Sequence, residues 1–237
     1  MTDSTPITEQ QFVLKNIVCP ACKAEFKAWQ PRMTALRIRR EHSDLFYAEY
    51  DGPNPNHYSV MVCPACLYAA YDNDFTELSG SVKERVRADA GERRRLFGGH
   101  DFDGLRDVAA VQASYELALR CYAVRKRGRM GLRAALYLQM AWLARETHQP
   151  GPEREYLELA LQHYRQSYAQ ESPGTAKDQI KQTFLIGDLS LQLGQFGEAV
   201  RWFQVTVKHP AIGQFPELER RTRQRWSEAR AAAAPEV

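Results

Sequence analysis

Cys19-Pro20-Ala21-Cys22 and Cys63-Pro64-Ala65-Cys66 decide how the first third of this chain folds. Two residues between cysteines let both sulfurs converge on one point, and the proline stiffens each loop. Four thiolates delivered as two such knuckles match a tetrahedral four-sulfur metal site. Cys19, Cys22, Cys63 and Cys66 are therefore the expected metal ligands, holding one structural Zn²⁺ per chain. A closed sulfur shell leaves no coordination position for water, which argues against a catalytic metal. Iron and thiol redox chemistry stay open as alternatives. A small β module has little core of its own, and metal binding would supply the missing stability.

Outward from the knuckles, the segment between them alternates as strands do. Leu36 and Ile38 fall on one face and arginines on the other. Leu45 to Tyr50 reads as a second strand, and Tyr58 to Val62 as a third running into Cys63. The link Asp51-Gly52-Pro53-Asn54-Pro55-Asn56 is turn chemistry throughout. A small antiparallel sheet carrying both cysteine loops is expected, zinc-ribbon-like or rubredoxin-like. In such loops a glycine often follows the second cysteine, because the backbone there favours positive φ. Lys23 and Leu67 occupy that place here.

From Thr76 the period becomes helical. Expected helices cover Thr76 to Phe97 (interrupted at Gly91), Leu105 to Lys126, Leu132 to Thr147, Glu153 to Gln170, Asp178 to Leu193, Glu198 to Lys208 and Pro216 to Ala233. Breaks fall at Gly128, at Gln149-Pro150-Gly151-Pro152 and at Ser172-Pro173-Gly174. The fold class expected is mainly α with a small β module: a knuckle domain over 1–75, then a helical hairpin array over 76–237. Gly187 and Ala199 lie twelve apart, with Gly194 at the turn, Phe203 four beyond Ala199 and Pro210 at the end. This resembles a tetratricopeptide repeat, where small residues let paired helices approach closely.

Composition excludes several classes. The chain has 237 residues, 44% hydrophobic and 26% charged, as in ordinary globular proteins. The start of the sequence has no basic-plus-apolar signal, and no stretch approaches the roughly 20 apolar residues of a membrane span. A cytoplasmic location, where paired cysteines are more often metal ligands than disulfides, is expected. The net charge is +3. Residues 1–75 hold 7 Lys/Arg against 9 Asp/Glu, so the knuckle region is a poor match for phosphate.

Outside the knuckles the sequence offers weaker candidates. Cys121 reads as a buried packing thiol. His100, Asp101 and Asp103 form a polar loop best read as a helix start, and Asp72-Asn73-Asp74 as a cap. Three basic clusters, Arg93-Arg94-Arg95, Arg125-Lys126-Arg127-Gly128-Arg129 and Arg220-Arg221-Thr222-Arg223-Gln224-Arg225, read as solvated helix ends, with a phosphate or acidic partner as the alternative. No phosphate-cradling glycine loop or nucleophile elbow occurs.

The knuckles, the approach Tyr58-Ser59-Val60-Met61-Val62-Cys63, the following Tyr68-Ala69-Ala70, and the stretches Leu185-Ile186-Gly187-Asp188-Leu189 and Leu193-Gly194-Gln195-Phe196 together resemble a bacterial family catalogued as a domain of unknown function. The likeness runs from about residue 15 to 230. It implies a metal-binding knuckle pair and a tetratricopeptide-like helical region, and it implies no activity. The functional expectation is a non-enzymatic, zinc-stabilised adaptor that binds a protein or peptide partner through its helical surface. Tyr137, Tyr164 and Trp202 are candidate contact aromatics. The alternatives are a nucleic-acid-associated protein using the basic helical patches, and a thiol-redox or iron electron-transfer protein.

Overall fold

The computed structural model describes residues 6–125, 129–171 and 174–234. Lys126, Arg127 and Gly128 of the second basic cluster, and Ser172 and Pro173 of the third break, lie outside the described residues. The chain divides into two compact units: Met1–Arg40 with Ala48–Arg127, and Glu41–Tyr47 with Gly128–Val237. The first three helices, grouped by sequence with the helical array, thus fall in the unit that carries the knuckles.

In the first unit, β1 (Phe12–Val18) pairs antiparallel with β2 (Glu25–Pro31), with Val18 opposite Glu25. β3 (Ile38–Glu41) pairs with β4 (Ala48–Tyr50). β5 (Val60–Val62) pairs antiparallel with β6 (Ala69–Tyr71), with Val62 opposite Ala69. The expected single sheet is therefore three separate two-stranded ladders. Each strand entering a knuckle finds its partner in the strand leaving it, so pairing is local and uses strands that the hydropathy pattern hid. β1 is exposed along most of its length, so it shows no in–out alternation. Phe12 packs edge-on against Trp29 and Tyr58, with ring centroids 5.6 and 4.7 Å away.

Three helices complete this unit: α1 (Gly80–Ala88), α2 (Ala90–Phe97) and α3 (Val108–Val124). The long helix expected over 76–97 breaks at Asp89, whose N–H still bonds back to Arg85 at 3.1 Å, and not at Gly91. The carboxylate of Asp107, not that of Asp101 or Asp103, caps α3 by accepting the Ala110 N–H at 2.7 Å. α3 is buried along one side and lies against β5 and β6, where Tyr122 Oη accepts the Tyr71 N–H at 3.0 Å.

The second unit is helical. It comprises α4 (Met130–Glu146), α5 (Pro150–Gln170), α6 (Ala176–Gln192), α7 (Phe196–Val207) and α8 (Pro216–Ala233). α4 packs with α5, α6 with α7, and α7 with α8, as helical hairpins around one hydrophobic cluster. Pro150 opens α5 at its first turn, where the missing N–H costs nothing, rather than stopping α4. A Cβ at Gly187 would meet the Phe203 ring at 3.0 Å, so α6 and α7 approach only because that position has no side chain. Gly194, at φ +77°, closes the turn between them.

Residues 41–47 belong to this helical unit although they run from the last residue of β3 to the start of β4. Leu45 and Phe46 adopt left-handed φ of 51° and 57°, so the strand expected over 45–50 starts only at Ala48. Such a backbone costs about 1–2 kcal/mol per non-glycine residue. Leu45 is fully buried, and its N–H donates to Asp188 Oδ2 at 2.6 Å, which holds the turn in place. Asp188 also accepts from Arg225 Nε at 2.6 Å deep in the helical core.

Candidate metal centre

The two knuckles are built alike. The Cys19 N–H donates to the Ala24 carbonyl and the Lys23 N–H to the Cys19 carbonyl, both at 2.9 Å. In the second, the Cys63 N–H donates to Tyr68 at 2.9 Å and the Leu67 N–H to Cys63 at 2.8 Å. Closing the turn this way drives Lys23 and Leu67 to φ of 71° and 55°, the conformation expected of the residue after the second cysteine. Neither is glycine, so each knuckle carries a strained residue that its loop over-determines.

The four Sγ atoms lie within 4.8 Å of one another. Cys19 Sγ stands 3.7 Å from Cys66 Sγ, and Cys22 Sγ 3.6 Å from Cys63 Sγ. A tetrahedral ion with metal–sulfur bonds near 2.3 Å needs sulfurs about 3.8 Å apart, so the donor set fits such an ion. Cys19 and Cys63 are fully buried, Cys66 nearly so, and Cys22 forms the exposed corner. Hydrogen bonds from Cys63 and Cys66 hold the Cys19 thiol down to about 2, and the bond to Cys19 pushes Cys63 up to about 12 and Cys66 upward too. Negative charge on sulfurs packed this closely is self-repelling, and a cation at their centre would offset that repulsion.

Arginines grip the knuckles from α1 and α2. Arg93 is fully buried and donates from Nη2 and Nε to the Cys66 carbonyl at 2.9 and 3.3 Å. Its Nη1 reaches the Val86 carbonyl at 2.8 Å and Asp89 Oδ2 at 3.1 Å. Arg94 Nη2 holds the Ala65 carbonyl at 2.7 Å, and Arg87 Nε the Ala21 carbonyl at 2.6 Å. Cys121 is buried behind the second knuckle and accepts the Ala69 N–H at 3.4 Å; burial pushes its thiol up, consistent with packing rather than reactivity.

The expectation of solvated helix ends therefore fails at one arginine in each basic cluster. Arg93 braces the second knuckle. Arg125 is buried against Asp74, with Nη2 donating to Tyr68 Oη at 2.5 Å and to the Glu77 carbonyl at 3.0 Å. Arg225 pairs with Asp188. At Arg93 the sequence carried a partial signal: it follows Asp89, the residue that caps its helix, by four, and Asp89 Oδ2 is one of its partners. Likewise Asp188 sits inside an apolar run and so had to be a partnered carboxylate. Asp74, expected as a simple cap, is the buried acid of the Arg125 pair.

The other candidates do not assemble into a site. Asp101 Oδ1 accepts the Asp103 N–H at 2.8 Å, and Asp103 accepts from Trp29 Nε1 at 3.2 Å, which ties down a loop. Tyr137 stacks on His163 at 5.2 Å, Tyr164 is buried, and Trp202 stands edge-on to the exposed Tyr168 at 5.0 Å.

Residues 12–229 match the family described as "Uncharacterized protein conserved in bacteria (DUF2225)". The chain belongs to this family. A protein of Borreliella burgdorferi (strain ATCC 35210 / DSM 4680 / CIP 102532 / B31), described as "Uncharacterized protein", is 27% identical over 158 residues. That alignment covers 61% of this chain and 57% of the relative. No solved structure matches the chain. Among the described residues, no helix is long and apolar enough to cross a membrane.

Proposed function

We propose that this DUF2225 member is a non-enzymatic adaptor whose first unit is stapled by one Zn²⁺ on Cys19, Cys22, Cys63 and Cys66, and whose tetratricopeptide-like helical unit binds a protein or peptide partner. The closed four-sulfur cluster carries the reading, because it leaves the metal no open position for a substrate. The helical unit supports the second half. Tyr168, Val205 and Phe196 are exposed on α5 and α7, and Trp202 stands edge-on to Tyr168; aromatics of this kind anchor interfaces. The close approach of α6 and α7 at Gly187 is the feature shared with tetratricopeptide hairpins. A nucleic-acid role loses support because Arg93, Arg125 and Arg225 are committed to internal partners.

Metal analysis of protein purified without air tests the first half: about one zinc per chain and no colour is expected, and iron charge-transfer bands or four titratable thiols would overturn it. Photo-crosslinking in the producing cell tests the second. A discrete adduct is expected from a photoreactive residue at Tyr168 and none from one at Ser227; equal labelling from both would sink the partner surface.

A further inference from the structure

A cavity of about 550 Å³ opens in the helical unit between the start of α6, the start of α8 and the turn at Phe46. That volume lies within the range of small-molecule sites, about 300–1,000 Å³. Its apolar wall is Phe46, Phe215 and Leu218, and its polar groups are mainly cations: Lys177, Lys181 and Arg221. The one acid among its lining residues, Glu217, is taken by Arg220 at 2.6 Å. Among the described residues none of the three cations has a carboxylate oxygen within 4.0 Å, although Arg221 is near enough to help Arg220 hold the Glu217 carboxyl below its ordinary value. Arg221 and Lys181 instead rest over the Phe46 ring, 4.8 and 5.3 Å from its centroid. Cations parked on a ring at a cavity mouth are free to turn onto an anion, which binds a guanidinium or ammonium more strongly than a ring does.

The wall is also held under strain. Phe46 reaches the cavity only because it and Leu45 both adopt left-handed backbone, fixed by Leu45 against Asp188. Packing of Phe46 on Phe184, with centroids 4.9 Å apart, accounts for its partial burial but not for a ring presented to two cations, Lys181 and Arg221. Strain of this kind concentrates at ligand sites.

We propose that this cavity binds a small amphipathic anion, a phosphate or carboxylate head on an aromatic or apolar body. The head sits among Lys177, Lys181 and Arg221, and the body lies along Phe46, Phe215 and Leu218. None of the four cysteines, and none of Tyr168, Phe196, Trp202 or Val205, lines it.

Isothermal titration of the full chain with naphthyl phosphate, inorganic phosphate and naphthol tests it. Naphthyl phosphate should bind at least about tenfold more tightly than either fragment, and more weakly as salt rises. Lys181→Gln and Arg221→Gln should each weaken it about tenfold, while Arg154→Gln, at the far end of α5, should not. Lys177→Gln alters an exposed side chain and keeps the test valid if a Phe46-facing variant unfolds; it should weaken binding several-fold. Inorganic phosphate binding as well as naphthyl phosphate would reduce the cavity to an ion site and overturn the proposal. So would naphthol binding equally well, or all three variants binding like the unaltered chain.

Discussion

In the first unit a fully buried arginine, Arg93, donates mainly to backbone carbonyls of Cys66 and Val86, with Asp89 at its edge. In the second, Arg225 pairs with a fully buried carboxylate, Asp188, whose other oxygen takes the Leu45 N–H. The difference follows from what else each unit contains. Four thiolates around a divalent ion would leave about two negative charges, which would add to Asp89 in balancing a cation beside the second knuckle. The helical core holds no such cluster, and its arginine is matched by carboxylates, the buried Asp188 and the more exposed Glu228. One unit is organised around a four-cysteine cluster and the other around a continuous apolar cluster.

Removing the metal should separate them most. Chelation, or Cys63→Ser, should take away binding energy on the order of 10 kcal/mol from the first unit. Hydrogen exchange should then show protection lost over β1, β2, β5, β6 and α3 and kept over α4 to α8. Equal loss in both units would break the comparison.

The same substitution in each unit should cost different amounts. Arg225→Met strands a buried carboxylate and should cost the helical unit about 3–5 kcal/mol. Arg93→Met strands carbonyl oxygens and should cost the first unit about 1–3 kcal/mol. Denaturant unfolding followed separately in each unit by exchange gives both numbers, and a reversed order would refute the charge-matching argument.

Acidity sharpens it further. Burial pushes Asp188 up to about 6 from 3.8, despite Arg225. The folded state therefore holds this proton more tightly than the unfolded chain. The stability so gained is fully present below pH 3.8 and is lost as pH rises through 6, by up to about 3 kcal/mol. The advantage of the unaltered chain over Asp188→Asn should accordingly shrink between pH 4.5 and 7; a difference flat with pH would place the carboxyl at its ordinary value.

The smallest effect compares the two knuckles. Lys23→Gly relieves a positive φ at an exposed side chain and should stabilise the first unit by about 0.5–1 kcal/mol. Leu67→Gly relieves the same strain but empties a buried position, and should destabilise by about 1–2 kcal/mol net. Thermal unfolding of the two variants decides the sign of each.

Much of this was legible in the residues. The cysteine spacing gave the cluster, and Gly187 with Ala199 gave the close helix pair, because both depend on local geometry that a few positions dictate. α4 to α8 fell within a few residues of the expected bounds. β1 stayed hidden because an exposed ladder needs no alternation, and Leu45–Phe46 read as strand because apolar residues look the same in a strand and in a buried turn. The buried arginines were hardest. Their burial is licensed by carbonyls and acids distant in sequence: Cys66 for Arg93, Asp74 for Arg125 and Asp188 for Arg225.

The excursion of residues 41–47 has a consequence for how this architecture can change over time. The polypeptide passes from one unit to the other after Arg40, returns at Ala48 and leaves again near Arg127. No single cut yields either unit whole. A helical fragment beginning at 129 would lack Leu45 and leave Asp188 without the N–H it accepts. A recombination event that moved the helical half alone would leave behind residues 41–47, the turn that Asp188 anchors.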